Sequence, residues 1–257
     1  MKWKNLTNRV LATPCLLCLT APARQRGFCQ DCEDELPWQP PGCHTCGVAL
    51  TDTVTTQPSP AWSSGDSDAT VHLCFRCRQT QPAFSRCLCT FAYEAPVSSM
   101  IRRFKDRGGF PEFRALSNCF IAHFLQHYRD SETVWPDILL PVPLHPSRLR
   151  ARGFNQALLL ARRLSRHTGI PVLAHSCQRR SGTAQRGLDA QARLHNMQGV
   201  FSIRTGTALT PGMRLAIIDD VVTTSATTQA MAAVIHSTAA ARIDVWALAR
   251  SNHQPES

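Results

Sequence analysis

The stretch that most constrains this chain lies near its C-terminal end: Arg214-Leu-Ala-Ile-Ile-Asp219-Asp220-Val-Val-Thr223-Thr224-Ser225-Ala226-Thr227. Leu215 to Ile218 has the length and branching of a buried strand, and Thr227 to Ile235 reads as a helix. Between them stand two adjacent carboxylates and a run of small hydroxyl residues. A loop entering a helix N-terminus presents free backbone N–H groups, and the helix dipole adds partial positive charge there. Small side chains let a phosphate approach that backbone. Carboxylates repel phosphate but accept hydrogen bonds from sugar hydroxyls. The loop therefore asks for a phosphate beside a ribose, against the plain alternative of a capped strand–turn–helix.

The other end of the chain poses a different problem. Ten of its twelve cysteines fall within residues 1–90, and eight form Cys-x-x-Cys pairs: Cys15/Cys18, Cys29/Cys32, Cys43/Cys46 and Cys74/Cys77. Two intervening residues let both thiolates of a tight turn reach one Zn²⁺ at ~2.3 Å, and two such turns complete a tetrahedron. Eight ligands make two sites, structural in kind because all-cysteine sites leave no open position. Pairing in chain order closes loops of 10 and 27 residues, whereas a crossed arrangement closes loops of 24 and 41. Loop entropy favours the first and does not exclude the second. Gly47 allows the backbone to fold under the metal. His44 and His72 read as bystanders, and Cys87 and Cys89 as buried or free thiols. Thr51 to Ala69, rich in Thr, Ser, Pro and Asp, reads as a flexible insertion.

Formal net charge is +10, with 25 arginines against three lysines. Such a bias suits planar two-point contacts with phosphate, and equally a GC-rich genome. No run of 18 apolar residues exists, so no membrane span is expected. The N-terminus makes a poor signal peptide, and paired cysteines without a secretion signal suggest metal and a reducing cytoplasm.

From Phe91 the pattern changes to alternating helices and strands. Helices are expected at Val97 to Phe104, Phe113 to Tyr128 and Phe154 to Leu164. Strands are expected at Asp137 to Val142, Val172 to His175, Val200 to Ile203 and Arg242 to Leu248. Arg148, Arg150 and Arg152 fall in an expected polar loop. Gln178 to Gly199 reads as a long mobile loop, with Arg179 and Arg180 as surface charges. The predicted organisation is a zinc-ribbon domain over residues 1–90 and an α/β domain over 91–252. That α/β domain is a mostly parallel sheet with helices on both faces, binding ligands beyond the strand C-termini.

These residues resemble a known family. Ile217 to Thr227 is similar to the phosphoribosyl pyrophosphate (PRPP) loop of type I phosphoribosyltransferases. Pro141-Val-Pro-Leu-His-Pro-Ser-Arg148, continuing to Arg152-Gly-Phe-Asn-Gln156, resembles a signature of the ComF/GntX family. Arg179, Thr183, Gln185, Arg193, Asn196, Gly199 and Phe201 match that family's spacing, and a double zinc ribbon before a phosphoribosyltransferase-like domain is its layout. The resemblance implies that Asp219 and Asp220 hold ribose hydroxyls and that Thr223, Thr224, Ser225, Ala226 and Thr227 cradle the 5′-phosphate. Arg148 and Arg152 would face pyrophosphate, with Mg²⁺ bridging through ligand and water. Ser225 departs from the family's usual glycine. If that position needs positive φ, serine costs on the order of 1 kcal/mol.

The resemblance further implies a cytoplasmic role in natural competence, the uptake or use of external DNA. Its partners would then be an uptake helicase or single-strand-binding proteins. Two alternatives stand beside it: a nucleotide-salvage phosphoribosyltransferase, and a non-catalytic zinc-ribbon scaffold contacting single-stranded DNA through residues such as Arg76, Arg78 and Trp62. No residue stands out as a general base, and the acceptor of any transfer cannot be read.

Overall fold

The computed structural model describes residues 13–50, 56–58, 70–130, 133–179 and 200–252. Its centre is a four-stranded, all-parallel sheet in the order β3-β8-β7-β4: β3 Arg86–Ala92, β8 Arg242–Arg250, β7 Arg214–Val222 and β4 Ile138–Pro141. Strands covered on both faces read as continuous apolar runs. The alternation within each run divides them between two cores. Leu139, Ala216, Ile218, Trp246 and Leu248 face α3 (Val97–Arg107), α4 (Phe110–Asp130) and α6 (Gln156–Thr168). Ile138, Leu140, Leu215, Ile217, Val245 and Ala247 face α7 (Ala226–His236) and the hairpin of β5 (Cys177–Arg179) with β6 (Phe201–Ile203). Helices therefore cover both faces, as the alternating pattern predicts.

Several boundaries move. β3 crosses the expected division at residue 90, so Cys87 and Cys89 are buried free thiols of the sheet and not part of the ribbon. The ribbon segment docks on the free edge of that strand through the Trp38–Phe91 bridge and Gln39 N–H to the Thr90 carbonyl, 2.9 Å. The expected polar loop at Arg148 to Arg152 is a helix, α5 (Pro146–Arg152): proline pre-sets its first turn, His145 caps it, and Gly153 ends it at φ 82°. The strand expected at Val172 reduces to a single parallel bridge with Leu139.

The ribbon region holds two short helices, α1 (Gln30–Asp34) and α2 (Phe75–Gln79), and an antiparallel pair, β1 (Thr56–Pro58) with β2 (Thr70–His72). β1 lies within the stretch expected to be a flexible insertion, and β2 begins directly after it. Residues 51–55 and 59–69 of the insertion, Trp62 included, and 180–199 of the expected long loop lie outside the described residues. Among the described residues no helix is long and apolar enough to cross a membrane.

Candidate functional site

β7 delivers the acidic pair. It is flanked by β8 and β4, and β4 pairs only as far as Ile218, so Asp219 and Asp220 emerge beyond β4's C-terminal end. The backbone then turns through Val222, Thr223 and Thr224 to Ser225, which sits in the left-handed region at φ 63°, ψ 3°, and starts α7. The strain anticipated from the sequence is therefore present, on the order of 1 kcal/mol for a residue with a Cβ. Serine's hydroxyl does not relieve it, because Ser225 Oγ is buried without a hydrogen-bond partner among the described residues. The first N–H groups of α7 have no intrahelical acceptor and face the turn; Thr224 Oγ1 lies 3.4 Å from Ala226 N.

The carboxylates are held by their own backbone. Asp219 accepts from Asp220 N–H at 2.8 Å, and Asp220 accepts from Val221 N–H at 3.0 Å. Burial, and then the charge of Asp220, push Asp219 well above the usual carboxylate range, against a smaller opposing pull from Lys105. The Lys105 ammonium lies 2.6 Å from Asp220 Oδ2. Lys105 reaches it from the last turn of α3, whose preceding residue, Phe104, stacks on Phe113 at 4.3 Å and meets Phe154 at 4.8 Å. The sequence pattern marks Lys105 only as a helix-surface cation. One signal does single it out: it is the one lysine after residue 4 in a chain that uses arginine almost everywhere else.

The arginines divide. Arg148 is exposed on α5 and Arg152 half-buried at its end. Arg179, expected as a surface charge, is partly buried with its guanidinium 5.7 Å from the Phe201 ring centre. Burial lowers its pKa, the nearby charge of Arg148 lowers it further, and Asp219 opposes both. Arg179, Arg148 and Asp219 therefore share one electrostatic environment. In the Arg152-Gly-Phe-Asn-Gln156 segment, Asn155 caps α6 through Leu158 N–H (3.3 Å) and donates to the Val142 carbonyl (3.0 Å). This fixes the chain at the end of β4.

The eight paired cysteines converge in chain order: Cys15, Cys18, Cys29 and Cys32 form one group, and Cys43, Cys46, Cys74 and Cys77 the other, the sulfurs of each within 4.8 Å of one another. A tetrahedral zinc–thiolate centre requires S···S edges of ~3.8 Å. Cys18–Cys29 at 3.9 Å and Cys46–Cys74 at 3.6 Å fit, so each group could hold a zinc ion. In the second group, hydrogen bonds from Cys46, Cys74 and Cys77 pull Cys43 far below the usual thiol range, while Cys43, Cys46 and Cys74 push Cys77 up. Sulfurs this close must share protons or a cation. Gly47 follows at φ 68°, where a Cβ would meet the Cys87 carbonyl at 2.6 Å.

An acidic pair in the last four residues of a parallel strand, a left-handed turn and a helix N-terminus define an α/β protein with a candidate anion-binding loop, here carrying two four-cysteine clusters. The chain belongs to the competence protein F (ComF) family. It is 33% identical over 179 residues to competence protein F of Haemophilus influenzae, covering 69% of this chain and 78% of that protein. It is also 29% identical over 235 residues to DNA utilization protein YhgH of Salmonella typhi, covering 91% and 99%. Competence protein ComFC of Bacillus subtilis matches at 30% over 162 residues, covering 63% and 62%. No family model matches. A purine phosphoribosyltransferase from Pyrococcus horikoshii overlays 55% of the chain and 92% of that structure at 16% identity and a TM-score of 0.34. That overlay is too loose to add to the argument.

Proposed function

We propose that the chain binds PRPP or a related ribose 5-phosphate and supports the uptake or use of external DNA in the cytoplasm. The observation that carries the ligand reading is the loop. Two carboxylates stand in the last four residues of β7, past the end of β4, and a left-handed residue joins the turn after that strand to a helix N-terminus. Asp219 and Asp220 would accept from ribose hydroxyls, and Thr223 to Thr227 would cradle the 5′-phosphate with backbone and hydroxyl donors. Arg148 and Arg152, joined by Arg179, supply the positive field for pyrophosphate. Mg²⁺ would enter with the ligand, held mainly by its oxygens and water. Zn²⁺ in the two four-cysteine clusters is the cation their donor set and spacing fit best, and its role there is structural.

The competence role rests on the family: the relatives are named for competence and for DNA utilization. Single-stranded DNA, or the helicase and single-strand-binding proteins that handle it, are the partners this role calls for. Asp219→Asn combined with Asp220→Asn tests both parts. The double variant is expected to fold, to bind ribose 5-phosphate at least about a hundredfold more weakly by calorimetry, and to reduce DNA uptake in a competent host. A folded double variant with unchanged affinity overturns the ligand reading. One with lost affinity and unchanged uptake separates the pocket from the competence role.

A further inference from the structure

The last residue of β8 ties the second cysteine cluster to the phosphate loop. Arg250 is only 5% exposed. Its Nε donates to the Cys46 carbonyl at 2.9 Å. Its Nη1 donates to the carbonyls of Val222 (3.2 Å) and Ser251 (2.8 Å) and to that of Thr223. Cys46 belongs to the metal cluster, and Val222 and Thr223 are the residues that lead into the strained turn at Ser225. Among the described residues no carboxylate forms an ion pair with Arg250.

A buried cation bonded only to carbonyl dipoles needs negative charge nearby. Four thiolates around one divalent metal carry a net charge of roughly −2. One cavity of about 240 Å³ is lined by Cys46, Cys74 and Cys77 of the cluster, by Thr223 to Ala226 of the loop, and by Arg250 itself. A left-handed serine persists only where its surroundings over-determine it. Arg250, bonded to the Cys46 carbonyl and to those of Val222 and Thr223, braces the backbone that leads into that turn.

We propose that Arg250 is a positioning residue through which the Cys43–Cys77 cluster sets the conformation of the phosphate loop. Ribose-phosphate affinity then depends on that cluster and not on the Cys15–Cys32 cluster. The affinity part rests on the ribose-phosphate reading above; the coupling part does not. Arginine suits this position because its Nε and Nη1 donate to carbonyls on two sides from separate nitrogens, a spread that the single nitrogen of a lysine ammonium lacks.

The test measures amide hydrogen exchange and ribose 5-phosphate binding on the zinc-loaded full chain. Arg250→Lys is expected to speed exchange across residues 223–228 about tenfold and to weaken ribose 5-phosphate binding about tenfold, with exchange in α4 unchanged. Asn252→Ala unpins the same knuckle from outside, since Asn252 Oδ1 accepts from Ala49 N–H and Gln39 Nε2, both at 3.1 Å. It is expected to speed loop exchange about threefold, and it keeps the inference testable if Arg250→Lys does not fold. Asn118→Ala loosens the first cluster, where Asn118 Nδ2 donates to the Gln25 carbonyl at 3.2 Å, and should leave the loop alone. Unchanged loop exchange in the folded Arg250 or Asn252 variant overturns the proposal, as does equal loosening by Asn118→Ala. A wild-type chain that fails to bind ribose 5-phosphate overturns the ligand reading instead, while the exchange data still decide the coupling.

Discussion

The two cysteine clusters share a ligand set and local architecture yet sit on different ground. In each, the second Cys-x-x-Cys pair opens a short helix, with Cys29 at the N-cap of α1 and Cys74 at that of α2. The first cluster leans on a helix. Gly27, at φ 94°, lies so close to α4 that a Cβ there would meet that of Ala115 at 3.0 Å. The second leans on the sheet, where Cys87 N–H of β3 donates to the Thr45 carbonyl at 2.7 Å and Gly47 passes over the same strand. A knuckle on α4 touches no part of the phosphate loop among the described residues and reaches the acid pair only indirectly, through the Phe113–Phe104 stack beside Lys105. A knuckle on β3 and the end of β8 stands beside the loop that β7 delivers. Identical chemistry, placed twice, thus gives one staple for stability and one that can also shape a binding loop.

The sharpest way to break this comparison is to disable each cluster separately. Cys74→Ser and Cys29→Ser each remove one ligand and should each lower stability by on the order of a few kcal/mol, since metal binding to such knuckles is folding free energy. They should part company in binding. Among molecules still folded, Cys74→Ser is expected to weaken ribose 5-phosphate binding about thirtyfold, and Cys29→Ser by less than about threefold. Calorimetry beside a zinc-release assay measures both. Equal losses would mean that the clusters differ only in address.

A smaller effect sharpens the loop side. Ser225→Gly removes the Cβ that the left-handed turn penalises and the buried hydroxyl that has no partner among the described residues. It should stabilise the chain by about 1 kcal/mol with ribose 5-phosphate affinity held or improved, as denaturant titration and calorimetry would show. Ser225→Ala removes the hydroxyl but keeps the strain, so it should recover only part of that gain. If glycine instead weakens binding, the hydroxyl is a phosphate donor and its burial is the state that precedes ligand.

How much of this is open to reading follows from where the partners lie. The phosphate loop is local, so its strand, acidic pair, turn and helix can be read from fourteen consecutive residues. Loop lengths favour the chain-order cluster pairing without excluding the crossed one, which falls only when the sulfurs are placed. α5 escapes because its arginines lack an apolar period, although Pro146 and Gly153 mark its start and end. Cys87 and Cys89 group with the ribbon by residue type, whereas their alternation with apolar residues is that of a strand. Arg250 is out of reach: it closes an apolar strand like an ordinary solvent cap, and its acceptors lie 204 and 28 residues away. Long-range partners of that kind become visible only once the sheet order is known.

The smallest effect uses the acid pair as an internal reference. Asp219 has its pKa raised in the folded chain, by burial first and by Asp220 second. A carboxyl with a raised folded pKa favours the folded state most below its unfolded value of about 4, and that contribution is lost as pH rises through the folded value. Asp219→Asn stays neutral throughout, so it should match wild-type stability near pH 4 and exceed it increasingly above. At pH 7.5 a gain of about 1 kcal/mol would raise Tm by 2–4 °C for a chain of this size. Thermal scans in three backgrounds then close the comparison. The gain should persist in Cys29→Ser, where loop and acid pair are undisturbed, and shrink in Cys74→Ser, where a loosened loop lets water reach Asp219. Equal gains in both would show that the second cluster does not set the surroundings of Asp219, whatever it does for phosphate.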